Sequence, residues 1–153
     1  MTLPPPDRLA AVAPESDALF VYGTLQFPEV LQALLGRVPS RAPASADGWR
    51  AASLAGRVYP GLVPSTLTAR GLLLTDLTAD EWRRLDDFED DLYDLRQLPL
   101  NDGRHGWTYT WSGPDVLPAT WQADEFAALH LTSYAARCAR IARHRHPRTP
   151  TPR

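Results

Sequence analysis

From Leu85 to Asp91 the chain reads Leu-Asp-Asp-Phe-Glu-Asp-Asp, placing five carboxylates in one short acidic stretch. A carboxylate serves as a proton acceptor near neutral pH only where burial lifts it above its ordinary range. Helix phase distinguishes among the five. At about 100° per residue, Trp82, Leu85 and Phe88 make an apolar stripe, and Glu89 projects roughly 40° from its middle. Asp86, Asp87, Asp90 and Asp91 project roughly 100° or more away. Glu89 is therefore the candidate general acid/base among the five. Ordinary readings fit the same pattern: an ion pair with Arg57, Arg70 or Arg96, or a half-exposed helix end. The spacing alone favours these.

A second group is Tyr22-Gly23-Thr24-Leu25. Gly23 lets a ligand approach the main chain closely. Free amide groups at such a turn can hold an anion or a developing oxyanion, and Thr24 adds a hydroxyl. Taken alone, an ordinary strand-to-helix turn explains these residues equally.

The elements that must position both groups follow from local signals. Ala18–Tyr22 is a short apolar run, expected as a buried strand. Pro28 suits the first turn of a helix whose face is Val30, Leu31, Leu34 and Leu35, ending at Gly36. Thr78 and Glu81 have capping-box spacing, and Leu77 and Trp82 the spacing of a hydrophobic staple, so a helix starts at Thr78. Strands are expected around Trp49–Leu54, Gly71–Leu74, Tyr93–Leu100 and Trp107–Trp111, the last with Trp107, Tyr109 and Trp111 on one face. Such an aromatic stripe is more often core than ligand platform. Asp124 is expected to cap one final helix carrying Phe126, Leu129, Tyr134, Cys138 and Ile141. The fold class is α+β: a small mixed β-barrel of about five or six strands with flanking helices.

The 153 residues suit one domain. Proline-containing ends are expected as loose tails over 1–17 and 144–153, with the domain at 18–143. Sixteen basic and eighteen acidic residues leave no basic surplus, so no nucleic-acid partner is expected. The run Arg137, Arg140, Arg143 and Arg145 is expected as a solvated helix face. No apolar run nears the roughly 20 residues of a membrane span, and no signal peptide is evident, so a cytoplasmic location and no membrane partner are expected. The single cysteine, Cys138, allows no internal disulfide and is expected in a core or interface. His105 and His130 are weak candidates for catalysis. His144 and His146 lack further ligands for a metal.

In order and spacing, several motifs together resemble the gamma-glutamylcyclotransferase-like superfamily. They are Phe20-Val21-Tyr22-Gly23-Thr24-Leu25, Gly56-Arg57-Val58-Tyr59-Pro60-Gly61-Leu62, Leu85-Asp86-Asp87-Phe88-Glu89-Asp90, Tyr93, and Tyr109-Thr110-Trp111. The nearest likeness is to the branch of avirulence-induced plant proteins and gamma-glutamylamine cyclotransferases, over roughly Leu19 to Phe126. The resemblance implies a small β-barrel with flanking helices. It implies that Tyr22, Gly23, Thr24 and Leu25 hold a gamma-glutamyl group, that Glu89 is the acid/base, and that Tyr93 lines the pocket. Tyr59 and Pro60 would form a wall, and Tyr109 gains weight as a pocket residue. Relatives often place two arginines shortly after the tyrosine that corresponds to Tyr93; here Asp94 and Leu95 precede a single Arg96, which leaves substrate preference open.

The implied reaction is closure of a 5-oxoproline ring by attack of the substrate's own α-amine on its γ-carbonyl. The nucleophile belongs to the substrate, in keeping with a chain that has no G-x-S-x-G motif. No metal or cofactor is implied, the partner is a small gamma-glutamyl compound, and a monomer or weak homodimer is expected. Three rivals stay open: removal of a gamma-glutamyl protecting group in a biosynthetic pathway, a non-catalytic module binding gamma-glutamyl-like ligands, and an adaptor working through the arginine-rich end.

Overall fold

The computed structural model describes residues 7–145. Its centre is β1 (Leu19–Val21), three residues buried throughout. β1 pairs antiparallel with β3 (Gly61–Leu74) and parallel with β5 (His105–Trp111). β2 (Arg41–Leu54) forms a long hairpin with β3. β4 (Tyr93–Pro99) pairs with β5, and β6 (Val116–Thr120) with β2. The order is β4-β5-β1-β3-β2-β6, six strands. The expected mixed sheet is thus a curled half-barrel.

The shortness of β1 makes the site. Past Val21 its two neighbours meet each other, Leu62 of β3 pairing with Thr110 of β5. The chain from Tyr22 onward must therefore leave the sheet. Tyr22 is held at the junction: its hydroxyl donates to the Tyr109 carbonyl at 2.5 Å and accepts from the Leu62 amide at 3.1 Å. A single 3-10 turn, Thr24–Gln26, then leads into α1 (Pro28–Leu35), which ends at Gly36 with φ 77°. That left-handed cap needs glycine, as expected from its position.

α2 (Ala79–Phe88) starts on a complete capping box, Thr78 and Glu81 each satisfying the other's backbone amide. Leu77 and Trp82 are both buried, consistent with the staple. Replacing Thr78 by alanine is expected to cost about 1 kcal/mol. Thermal melts should then show Tm down by roughly 2–4 °C; an unchanged Tm would deny the cap its role.

The end of the chain differs from expectation. In place of one helix there are α3 (Ala123–Leu129) and α4 (Leu131–Arg145), broken at His130. Gln122 stands at the N-cap position of α3 without a side-chain capping bond, Asp124 lies in its first turn, and Leu129 is 65% exposed. The cause is packing. The rings of Phe126 and Tyr134 lie 5.2 Å apart. Eight residues along a continuous helix would separate them by roughly 12 Å. The break lets both rings join one core cluster.

Of the loose tail expected over 1–17, residues 1–6 lie outside the described residues, and residues 7–17 are not loose. They form turns, and Arg8 reaches residues 86–93 through a set of hydrogen bonds described below. Most of the expected C-terminal tail lies outside the described residues, while α4 runs on to Arg145. Among the described residues no helix is long and apolar enough to cross a membrane.

Candidate active site

The turn after β1 and the end of α2 face each other across a cavity of about 240 Å³. One wall is the chain from Phe20 to Leu25. Tyr59 and Pro60, from the loop before β3, make a second. Phe88, Glu89 and Asp90 make a third, and Tyr134, Arg137 and Ile141 of α4 complete the rim. Tyr93 and Tyr109 come from β4 and β5. All five tyrosines of the chain line this one cavity. Every site residue inferred from the sequence is in the lining: Glu89, Tyr22, Gly23, Thr24, Leu25, Tyr59, Pro60, Tyr93 and Tyr109.

Glu89 reaches the cavity by a route that helix phase did not foresee. α2 stops at Phe88, and Glu89 is its extended C-cap, φ −72° and ψ 141°. Its amide still donates to the carbonyls of Leu85 and Asp86. Its carboxyl has no hydrogen-bond partner among the described residues, and no ion pair joins it to Arg57, Arg70 or Arg96. Burial in the cavity wall raises the carboxyl to about 8. Arg8 pulls it down, while Asp86 and Asp90 push it up. The group is poised near neutral pH, as a proton shuttle requires.

The other carboxylates need a correction. Asp86 and Asp90 do not point away. Asp86 is buried, pairs with Arg8 at 3.0 Å and accepts from the Tyr109 hydroxyl at 2.7 Å. Asp90 lines the cavity and accepts from the Tyr59 hydroxyl at 2.8 Å. The helix phase failed at Asp90 because the helix has ended by then. It failed at Asp86 because a distant arginine compensates the buried charge, and a paired carboxylate can be buried.

The tyrosines are a supporting cage. Tyr93 donates to the Pro60 carbonyl at 2.5 Å, fixing the loop before β3. Its ring packs edge-on against Tyr109 and Trp111. The Tyr134 hydroxyl lies 3.3 Å from Thr24 Oγ1, tying α4 to the turn. Burial pushes the phenols of Tyr22, Tyr93, Tyr109 and Tyr134 well above their ordinary range, so they are hydrogen-bond partners and not bases.

Gly23 is required by space. A side chain there would begin 2.8 Å from Cγ of Pro60. Among the described residues, no backbone carbonyl takes the amide N–H of Gly23, Thr24 or Leu25. These amides are available to a ligand oxygen.

Sequence reasoning missed Tyr134, Phe88, Arg137 and Ile141 as lining residues. The sequence places Tyr134 only on the final helix, and Arg137 on a solvated face. Arg137 is exposed, as expected of a solvated face, and its guanidinium carbon lies 5.4 Å from the centroid of the Tyr134 ring. The one available signal was that positions 134, 137, 138 and 141 share a helical face. His105 and His130 lie outside the cavity. Burial pushes the Cys138 thiol up to about 12, which leaves it unreactive. No cluster of metal-ligating side chains occurs among the described residues.

The model of the family described as gamma-glutamyl cyclotransferase, AIG2-like, matches residues 19–127. The chain belongs to this family. AIG2-like protein C of Arabidopsis thaliana is 40% identical over 116 residues, covering 71% of this chain and 67% of the relative. A solution structure from Arabidopsis thaliana superposes with a TM-score of 0.62 at 27% identity, covering 90% of this chain and 97% of that one. An AIG2-like protein from Mus musculus superposes with a TM-score of 0.54 at 21% identity, covering 71% of this chain and 87% of the other, and shares the fold. The AIG2-like match ends before α4 and begins after Arg8, so two contributors to the site lie outside it.

Proposed function

We propose that this AIG2-like protein is a gamma-glutamylcyclotransferase acting on small gamma-glutamyl amines or amino acids. The observation that carries the reading is the unpaired Glu89 carboxyl, raised to about 8, in a cavity walled by the main chain of Tyr22 to Leu25. The family match supports the reaction class.

The substrate's α-ammonium must lose a proton before its nitrogen can attack. Glu89, as carboxylate, takes that proton. The new N–C bond forms at the γ-carbonyl and closes the five-membered ring. In this reading the amides of Gly23, Thr24 and Leu25, which no backbone carbonyl takes among the described residues, supply donors for the oxyanion. When the original amide bond breaks, Glu89 returns the proton to the departing nitrogen. The ring nitrogen's second proton passes to the released amine, which departs as its ammonium, so the products are 5-oxoproline and a free amine or amino acid, and atoms balance without water. Such proton transfer contributes roughly 10²–10⁴-fold. Holding the two ends of one molecule in line can contribute up to roughly 7–11 kcal/mol more.

The test is a panel of gamma-glutamyl amines and gamma-glutamyl amino acids, read by 5-oxoproline release against pH. With Glu89 at about 8 in the free protein, kcat/KM is expected to rise with pH and to have a limb with its midpoint near that value. No release from any member, with binding retained, would replace the enzyme by a binding module. A limb near the ordinary carboxylate range would mean that the Glu89 carboxyl is not raised by its surroundings, and a limb that persists in Glu89→Gln would remove Glu89 as the base.

A further inference from the structure

We propose that Arg8 is a positioning residue of this site, clamping the chain that carries Glu89, so that the active site extends beyond the N-terminal edge of the AIG2-like domain. The inference rests on the cyclotransferase reading for its catalytic consequence and on geometry for its existence.

A helix leaves its last carbonyls without intrahelical partners, and positive charge is favourable there. α2 has no basic residue in its own last turn. Arg8 supplies one from almost eighty residues away. Its Nη1 donates to the carbonyls of Asp90 at 2.8 Å and Tyr93 at 3.1 Å. Its Nη2 donates to the carbonyls of Asp86 at 2.7 Å and Glu89 at 3.2 Å. Its Nε pairs with the Asp86 carboxylate at 3.0 Å. A guanidinium has five N–H donors, and five acceptors meet them here. Its carbon also lies 5.3 Å from the centroid of the Tyr109 ring.

Two consequences follow for Glu89. Its own carbonyl is held, which fixes the backbone from which the carboxyl enters the cavity. Asp86 is also held, and through it the Tyr109 hydroxyl on the cavity wall. A lysine could keep the charge but has three donors in place of a planar fork.

The charged and titratable groups around Glu89 come from every side. Asp86 and Asp90 belong to its own segment, Arg8 to the N-terminal one, Tyr22 to the turn, and Tyr59 and Arg57 to the loop before β3. Tyr93 and Tyr109 stand on β4 and β5, and Tyr134, Arg137 and Cys138 on α4. Arg8 is the cation that draws the carboxyl down.

The experiment uses the full chain as wild type, Arg8→Ala and Arg8→Lys, with folding checked by amide NMR spectra at a temperature where all three are native. The first readout is a ¹³C NMR titration of the Glu89 carboxyl without substrate. Arg8→Ala is expected to move its midpoint upward by at least about half a pH unit. Arg8→Lys is expected to move it less. The second readout is kinetics on whichever gamma-glutamyl compound turns over. For Arg8→Ala, kcat is expected to fall about 10–100-fold with KM within about threefold, and Arg8→Lys to restore only part of it. A midpoint unmoved or lower in Arg8→Ala overturns the proposal, as does an unchanged kcat. If wild type releases no 5-oxoproline, the cyclotransferase reading fails and the titration alone decides the clamp. If Arg8→Ala does not fold, the Arg8→Lys values decide, and wild-type values in that variant overturn the proposal.

Discussion

Glu89→Gln is expected to lose 5-oxoproline release by roughly 10²–10⁴-fold while binding and fold persist. Glutamine keeps the shape of the side chain and cannot accept the α-amine proton. The same change has a second, opposite effect on stability. In the fold the carboxyl sits at about 8 against an ordinary 4.5. Between these values the folded state holds a proton that the unfolded chain has released. Stability contributed by this group is full below about 4.5, declines as pH rises, and is lost above about 8. Glutamine has no proton to lose. Urea unfolding of wild type and Glu89→Gln should therefore diverge with rising pH, the variant gaining on the order of 2–4 kcal/mol by pH 9. Turnover retained within about threefold of wild type would reject the mechanism. Parallel unfolding curves across this range would show that the carboxyl is not desolvated.

Gly71→Ala should be the most damaging single-methyl change in the sheet. A Cβ at Gly71 would lie 2.1 Å from the Val21 carbonyl oxygen and 3.0 Å from the Tyr22 Cα. Those are backbone atoms, so no rotamer relieves the overlap, and the end of β1 has to move. Overpacking of this kind costs about 3 kcal/mol or more. Tm should fall by roughly 10 °C. Because Val21 and Tyr22 begin the cavity wall, KM should rise even where the variant is fully folded. Calorimetry and saturation kinetics check both. A loss under about 1 kcal/mol would mean that β1 is free to shift, and the rigid wall proposed for the gamma-glutamyl group would go with it.

How far the sequence could be read depended on the range of the forces involved. The start of α2 was legible because a capping box is made by residues three apart. The end of α1 was legible because Gly36 alone can take its φ. The break at His130 was not, because no glycine or proline marks it; only the shared core position of Phe126 and Tyr134 demands it. Glu89 was singled out, but by a helical projection that does not apply to a residue beyond the helix. The same projection sent Asp86 and Asp90 outward, against their observed positions.

What the sequence by itself determined was the set of chemically capable residues and the local elements that carry them: the glycine turn behind a buried strand, the capped helix, and the acidic stretch at its end. Only the tertiary structure decided which carboxylate is left free to act as the proposed base. Asp86 is neutralised by Arg8 and Tyr109, Asp90 is engaged by Tyr59, and Glu89 is left without a partner in the cavity wall. The physical reason is that desolvation and charge pairing depend on what arrives from far along the chain, whereas helix caps and turns are settled by neighbours a few residues away.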